Sequence, residues 1–211
     1  TLPNMIQGDQ AANRDTSDAP LWFILACDEL LRADNNDKFL EADCNGRSVR
    51  DIILSIGNGI MAGTPNGIKM DTESGLVFSP IHYTWMDTDH PAGTPRQGYP
   101  IEIQALWYAA LHVLGRVDRV EHQDQWHRLS LRVQSSIINL FWQNNLGYLS
   151  DCRHAVAGQS AFEATADDAL RPNQLLAVTL GAVSDEHLCR RILASLETLL
   201  VPGAIRSLAD R

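Results

Sequence analysis

The sequence predicts an all-α fold, organised as part of an (α/α)6 toroid with about three helical hairpins present and a minor β-hairpin in the loops. Three observations lead there. Six segments carry helical apolar periodicity. They alternate in character, one apolar on nearly every side and the next apolar on a single face. The longest polar loops all precede the fully apolar helices. A helix that is apolar all round has to be covered all round, whereas an amphipathic one can face water. The alternation therefore reads as inner and outer helices of successive hairpins, in a ring that closes with six.

The first helix, "APLWFILACDELL" (Ala19 to Leu31), follows Asp18, a favoured N-cap, and carries Pro20 in its first turn. It is apolar nearly all round until Asp28. The second, "SVRDIILSIGNGIMA" (Ser48 to Ala62), puts Val49, Ile52, Ile53, Ile56 and Ile60 on one face. The third, "PIEIQALWYAALHVLG" (Pro100 to Gly115), is again apolar throughout. The fourth, "DQWHRLSLRVQSSIINLFW" (Asp124 to Trp142), is one-faced through Trp126, Leu129, Val133, Ile137 and Leu140. The fifth, "PNQLLAVTLGA" (Pro172 to Ala182), is short and apolar. The sixth, "DEHLCRRILASLETLL" (Asp185 to Leu200), is one-faced through Leu188, Ile192, Leu196 and Leu199. "GIKMDTESGLVFS" (Gly67 to Ser79) reads as a hairpin, and "LGYLSD" (Leu146 to Asp151) as one more strand, with less than about a tenth of the chain in strand. A compact helical bundle or a stacked helical repeat is the alternative. The uneven starts of the apolar helices, near residues 20, 100 and 172, count against a repeat.

Composition narrows the function. A net charge of −9 over 211 residues argues against nucleic-acid or anionic-membrane binding by bulk attraction. No run of 18 apolar residues offers a membrane span. Cys27, Cys44, Cys152 and Cys189 are scattered, as in a reduced, cytoplasmic protein, and no signal peptide is visible. Asp87, Asp89 and His90 do not have zinc or EF-hand spacing, so neither a metal nor another cofactor is expected.

In a ring of hairpins the loops before all inner helices meet at one mouth. Those loops alternate carboxylates, amides, Arg and flat aromatics. Trp22, Trp85 and Trp107 can stack on a sugar ring while Asp and Arg bond its hydroxyls. Two carboxyl groups across such a pocket are the minimal machinery of glycoside hydrolysis.

"NRDTSDAPLWF", "TWMD", "AGTPRQGYPIEIQALWYAAL", "LRPNQL" and "VPGAIRSL" occur in this order along almost the entire chain. Together they resemble the glucosidase domain of glycogen debranching enzymes, the amylo-α-1,6-glucosidase family of six-hairpin glycosidases. The resemblance implies hydrolysis of α-1,6-linked glucose at glycogen branch stubs, with inversion and without a metal. Its implied partner is an α-glucan, glycogen or limit dextrin. Asp87, the acid of "TWMD", matches the general acid. Asp18, Trp22, Trp85, Arg96, Glu102, Arg171 and Asn173 match substrate-contacting or loop-ordering positions. Without the resemblance, Glu102 reads equally as a first-turn acid favoured by the helix dipole, and Arg96 as a loop-ordering cation.

Two departures stand out. Gln104 occupies a position where many relatives carry Asn, and the second catalytic carboxylate is expected beyond Arg211. Residues 1–211 are then one domain, an internal portion of a glucosidase catalytic domain truncated at both ends, and inactive alone. Its open seams would favour self-association. The alternatives are a non-catalytic α-glucan-binding module or another six-hairpin glycosidase, trehalase-like or glucoamylase-like.

Overall fold

The third apolar segment becomes the axis around which the rest of the chain packs. The computed structural model describes residues 2–3, 5–34, 37–86, 94–118 and 120–209. The chain opens with a hairpin of β1 (Met5–Gln7) and β2 (Gln10–Ala12), then α1 (Ala19–Asp34) and a 3-10 turn at Asp37–Glu41. Next come α2 (Val49–Ala62), β3 (Lys69–Met70), β4 (Val77–Phe78), β5 (Gly98–Pro100), α3 (Ile101–Val117) and α4 (Val120–Phe141). Four short strands follow, β6 (Trp142–Gln143), β7 (Tyr148–Leu149), β8 (Cys152–His154) and β9 (Thr165–Ala166). A 3-10 turn at Pro172–Gln174 leads into α5 (Leu175–Thr179), α6 (Glu186–Glu197), β10 (Leu200–Val201) and β11 (Ala204–Ile205).

Helix α3 contacts α1, α2, α4 and α5. Ile101, Ile103, Leu106, Trp107, Leu111 and Leu114 on it are all fully buried, which is what an apolar surface on every side requires. The amphipathic α4 lays Leu129, Val133, Ile137 and Phe141 into the core, and α6 contributes Ile192 and Leu196. Local chemistry sets the helix starts. Ser48 and Asp51 form a reciprocal capping box on α2, and the Asp185 carboxylate accepts the Leu188 N–H at 2.9 Å on α6. At α1 the first-turn Ala19 N–H is met by Thr16 Oγ1 at 3.3 Å, while the Asp18 side chain accepts from the Thr16 hydroxyl instead.

The all-α toroid is corrected by the sheets. The chain is about 47% helix and 15% strand, and its strands pair in five small sheets. The hairpin expected at Gly67–Ser79 is present as β3 paired with β4. The three-stranded sheet β5–β8–β9 is the larger surprise, because it joins segments taken as polar loop, with Gly98 opposite His154 and Arg153 opposite Ala166. Strands of two or three residues are too short to display alternation, and these pair across long stretches of sequence, so periodicity has nothing to detect.

Trp107 is corrected as well. It is fully buried and donates its indole N–H to the Gly75 carbonyl at 3.1 Å, so it offers no face to a ligand. Gln104 binds β4 to the same helix: its Oε1 accepts the Val77 N–H at 2.7 Å and its Nε2 donates to the Val77 carbonyl at 3.0 Å. All four cysteines are free thiols. Among the described residues no helix is long and apolar enough to cross a membrane.

Gly98 is the tightest point of the β5–β8–β9 sheet. Its φ is +127°, and a Cβ there would stand 2.2 Å from the Arg153 carbonyl oxygen. Gly98→Ala therefore combines a backbone clash with a conformation that L-residues avoid. It should lower stability by at least ~2 kcal/mol in urea unfolding. A midpoint within error of wild type would show that β8 can move aside.

Candidate active site

The site is built on two chain segments that run beside each other. Ser79 exchanges both backbone hydrogen bonds with Gly98, at 2.7 and 3.0 Å, and the His82 N–H donates to the Pro95 carbonyl at 3.1 Å. These segments hold the two ends of the stretch from 87 to 93. Asp87, Asp89 and His90 lie outside the described residues. The start of α1 ties in to the first of these segments: the Ser17 N–H donates to the Tyr83 carbonyl at 2.7 Å, and the Ser17 and Ser79 hydroxyls are 2.7 Å apart.

Below this pair of segments lies a buried ionic cluster. Arg96 is fully buried. Its guanidinium grips both oxygens of Glu102, one from Nη1 and the other from Nη2 at 2.6 Å. Its Nε donates to Asp151 Oδ2 at 2.8 Å, its Nη1 to Thr84 Oγ1 at 3.2 Å, and its Nη2 to the Asp151 carbonyl at 3.2 Å. Arg171 closes the other side, with Nε 3.4 Å from Asp151 Oδ2. Two guanidinium groups thus face two carboxylates. That balance is the condition for burying ions without a large penalty. Backbone geometry is held under strain here, since Arg96 has φ +46° and is not glycine.

Asp151 links the cluster to the surface. Its Oδ1 accepts from Asn173 Nδ2 at 2.7 Å, and Asn173 Oδ1 accepts the Trp85 indole N–H at 3.0 Å. Trp85 is 53% exposed, although its polar edge is tied to a buried partner. An aromatic face held out to solvent by a fixed edge is a platform for a flat apolar surface, such as that of a pyranose.

Burial pushes the Asp151 carboxyl up to about 6, and Glu102 adds to the push, while Arg96, Asn173 and Arg171 hold it down. Arg96 is drawn down by burial, but Glu102 and Asp151 outweigh that and hold it well above its ordinary value. Burial also raises the neighbouring Cys152 thiol far above its usual range, so this sulfur stays protonated and inert.

Five of the expected site residues therefore meet: Trp85, Arg96, Glu102, Arg171 and Asn173. Glu102 and Arg96 lie beneath the surface and hold each other. Asp18 immediately precedes α1 and Trp22 lies on its first turn, and among the described residues no hydrogen bond joins them to the cluster. Trp22 flanks a separate open cleft of about 520 Å³ between α1, α3 and α5, together with Tyr108 and His112. Asp151 and Thr84 went unrecognised in the sequence. A charge count held a signal: Arg96 and Arg171, in converging loops, call for two acids, and Glu102 is only one. Among the described residues no group of three His, Cys, Asp or Glu gathers to hold a metal ion.

The sequence matches the Amylo-alpha-1,6-glucosidase family over residues 1–211. The chain belongs to that family. Membership makes it a domain of the glycoside hydrolase type. No curated protein matches it. Among solved structures it is similar to a GH78 family rhamnosidase of Bacillus sp. GL1, with TM-score 0.68 and 18% identity over 92% of this chain and 18% of that one. It is also similar to a rhamnosidase from Klebsiella oxytoca with rhamnose bound, with TM-score 0.59 and 13% identity over 92% of this chain and 33% of that one. At such identities the likeness is one of fold. The family member described here spans no more than about a third of either enzyme's length.

Two predictions follow from the cluster. Arg96→Met leaves Glu102 and Asp151 buried without their shared cation, so unfolding free energy should fall by ~3–5 kcal/mol, whereas an exposed ion pair would account for less than ~1 kcal/mol. The second concerns pH. A carboxyl raised in the folded state, like Asp151, contributes stability that is full below the unfolded value of 3.8 and is lost as pH rises through about 6. His154 acts in the same direction. Its hydrogen bond to Asp167, at 3.2 Å, holds it above 6.5, so its contribution is full below that value and disappears as pH rises past its folded value. Asp167 is lowered by the same bond and matters only in stronger acid. Thermal midpoints should therefore fall as pH rises from about 4 to about 8, on the order of the full shift of these two groups, and His154→Gln should flatten the upper part of that fall. A profile unchanged by His154→Gln would remove the histidine from the account.

Proposed function

We propose that the chain is part of the catalytic domain of an α-1,6-glucosidase that removes single glucose units from α-glucan branch stubs, with inversion. The observation that carries the reading is the exposed Trp85, locked to a buried charge-balanced cluster two residues before Asp87, in a chain matched throughout by the Amylo-alpha-1,6-glucosidase family. In this reading Trp85 supports the glucose ring, and Asp87 donates a proton to the departing glycosidic oxygen. A carboxylate on the opposite face activates water, at ~6.5–9.5 Å from the acid as inversion requires. Neither Glu102 nor Asp151 is free for that task. Both oxygens of each are engaged by Arg96 or Asn173. The base is then a carboxylate outside the cluster. Arg96 and Glu102 hold up the floor of the site rather than touch sugar.

In the intact protein, Asp87→Asn keeps the shape and removes the proton. The kcat on an α-1,6-linked glucose stub should fall ~10²-fold or more, with KM little changed. The fall should be smaller with α-glucosyl fluoride, whose leaving group needs less acid assistance. Trp85→Ala should instead raise KM by ~10-fold, through loss of the stacking surface. The first-formed glucose should be the β-anomer by proton NMR. Release of rhamnose from a rhamnoside in place of glucose from limit dextrin would overturn the substrate, and an unchanged kcat in Asp87→Asn would overturn the acid.

A further inference from the structure

We propose that Asn173 and Asp151 are positioning residues that fix the orientation of the Trp85 ring, so that the stacking face is set by a polarity relay running from the buried arginines to the surface. The inference rests on the reading of Trp85 as a sugar platform and adds what holds that platform still.

The donors on both sides of this relay all point towards Asp151. Trp85 Nε1–H donates to Asn173 Oδ1 at 3.0 Å, and Asn173 Nδ2–H donates to Asp151 Oδ1 at 2.7 Å. Arg96 Nε–H donates to Asp151 Oδ2 at 2.8 Å. An indole N–H can only donate and an ionised carboxylate can only accept, so the amide between them has a single satisfactory orientation. A flip of Asn173 would set its NH2 against the indole N–H and its oxygen against the carboxylate. Asn173 is 7% exposed and Asp151 2%, so water cannot repair a wrong orientation. Asp151 is itself immobile, pinned by Arg96 and flanked by Arg171 at 3.4 Å. The ionised carboxylate of Asp151 is thus the origin of the relay, and its charge, not only its shape, presents the ring.

Such an anchor matters because Trp85 is more than half exposed. A surface indole without a bond at its edge samples several rotamers, and ligand binding has to select one. Asn173 Nδ2 also lies 3.5 Å from Met86 Sδ, a further contact on the amide. A proton on Asp151 Oδ1 would set a donor against Asn173 Nδ2, and the amide would then have no orientation that satisfies both of its neighbours. The groups that face Asp151 and set this step are Arg96, Glu102, Arg171 and Asn173, with Cys152, His154 and Asp167 on the neighbouring strands.

The test uses the intact protein carrying 15N-tryptophan, with the Trp85 indole signal assigned by its loss in Trp85→Phe. In Asn173→Leu that signal should move, and the Kd for a branched α-glucan oligosaccharide should rise ~5- to 10-fold, with kcat within ~3-fold. In a Trp85→Phe background the same Asn173→Leu change should alter Kd less than ~2-fold, because the platform then has no edge to hold. A merely structural Asn173 would weaken binding equally in both backgrounds, and that result overturns the relay. A second arm needs no core substitution. In the wild type the Trp85 signal should titrate with a midpoint near pH 6 and do so still in His154→Gln. Should Asn173→Leu not fold, this titration decides alone, and a flat signal overturns the proposal. A wild type that binds no α-glucan would remove the glucan reading. The relay then stands or falls on the indole signal, moved or unmoved.

Discussion

Everything in the site hangs on one buried guanidinium. Arg96 reaches Thr84, Glu102 and Asp151, and so joins the segment leading to Asp87, the first turn of α3 and the start of β8. No apolar side chain could do this, because the partners are buried polar groups and both carboxylates need a cation between them. The planar fork of Arg matches the two oxygens of Glu102 and still leaves Nε for Asp151, which a lysine could not. The positive φ of Arg96 is the local strain that lets the side chain turn inward from a segment that otherwise runs along the surface.

This cluster is a poor device for raising stability, since a well-packed apolar cluster of the same volume would serve as well or better. Its use is geometric. Ion pairs with several directed hydrogen bonds tolerate little displacement, so they register three distant segments to within the distances on which a pocket depends. The sheet β5–β8–β9 works towards the same end: it brings Gln97 and Gly98 against Arg153 to Ala155 and so delivers Asp151 beneath Arg96. Helix α3 gives the sheet and the cluster a common rigid base, because its first two turns, Ile101 to Trp107, are buried throughout and Gln104 ties β4 to it.

Trp22 and Trp85 show how similar residues came to differ. Both are exposed aromatics on segments that carry the family resemblance. Trp85 has a buried acceptor for its N–H and is therefore oriented. Trp22 flanks an open cleft between helices, and its orientation rests on packing alone among the described residues. Trp107, with the same chemistry, is core, because it lies on the buried first half of α3 and finds its acceptor at the Gly75 carbonyl.

Much of this was legible in the residues. The six helices follow from apolar periodicity, which is local in sequence, and they form within a few residues of where the pattern puts them, although the cap expected of Asp18 falls to Thr16. The family resemblance singled out Arg96, Glu102, Arg171 and Asn173, and the structure brings these four together around Asp151. The sequence could not determine the sheets, since pairs of two or three residues carry no period. Nor could it assign Asp151, whose role exists only once β8 has been carried to β5 and a distant acid meets two distant arginines. Periodicity and caps are settled between near neighbours in the chain, while charge balance in a buried cluster is settled only between segments that tertiary packing brings together.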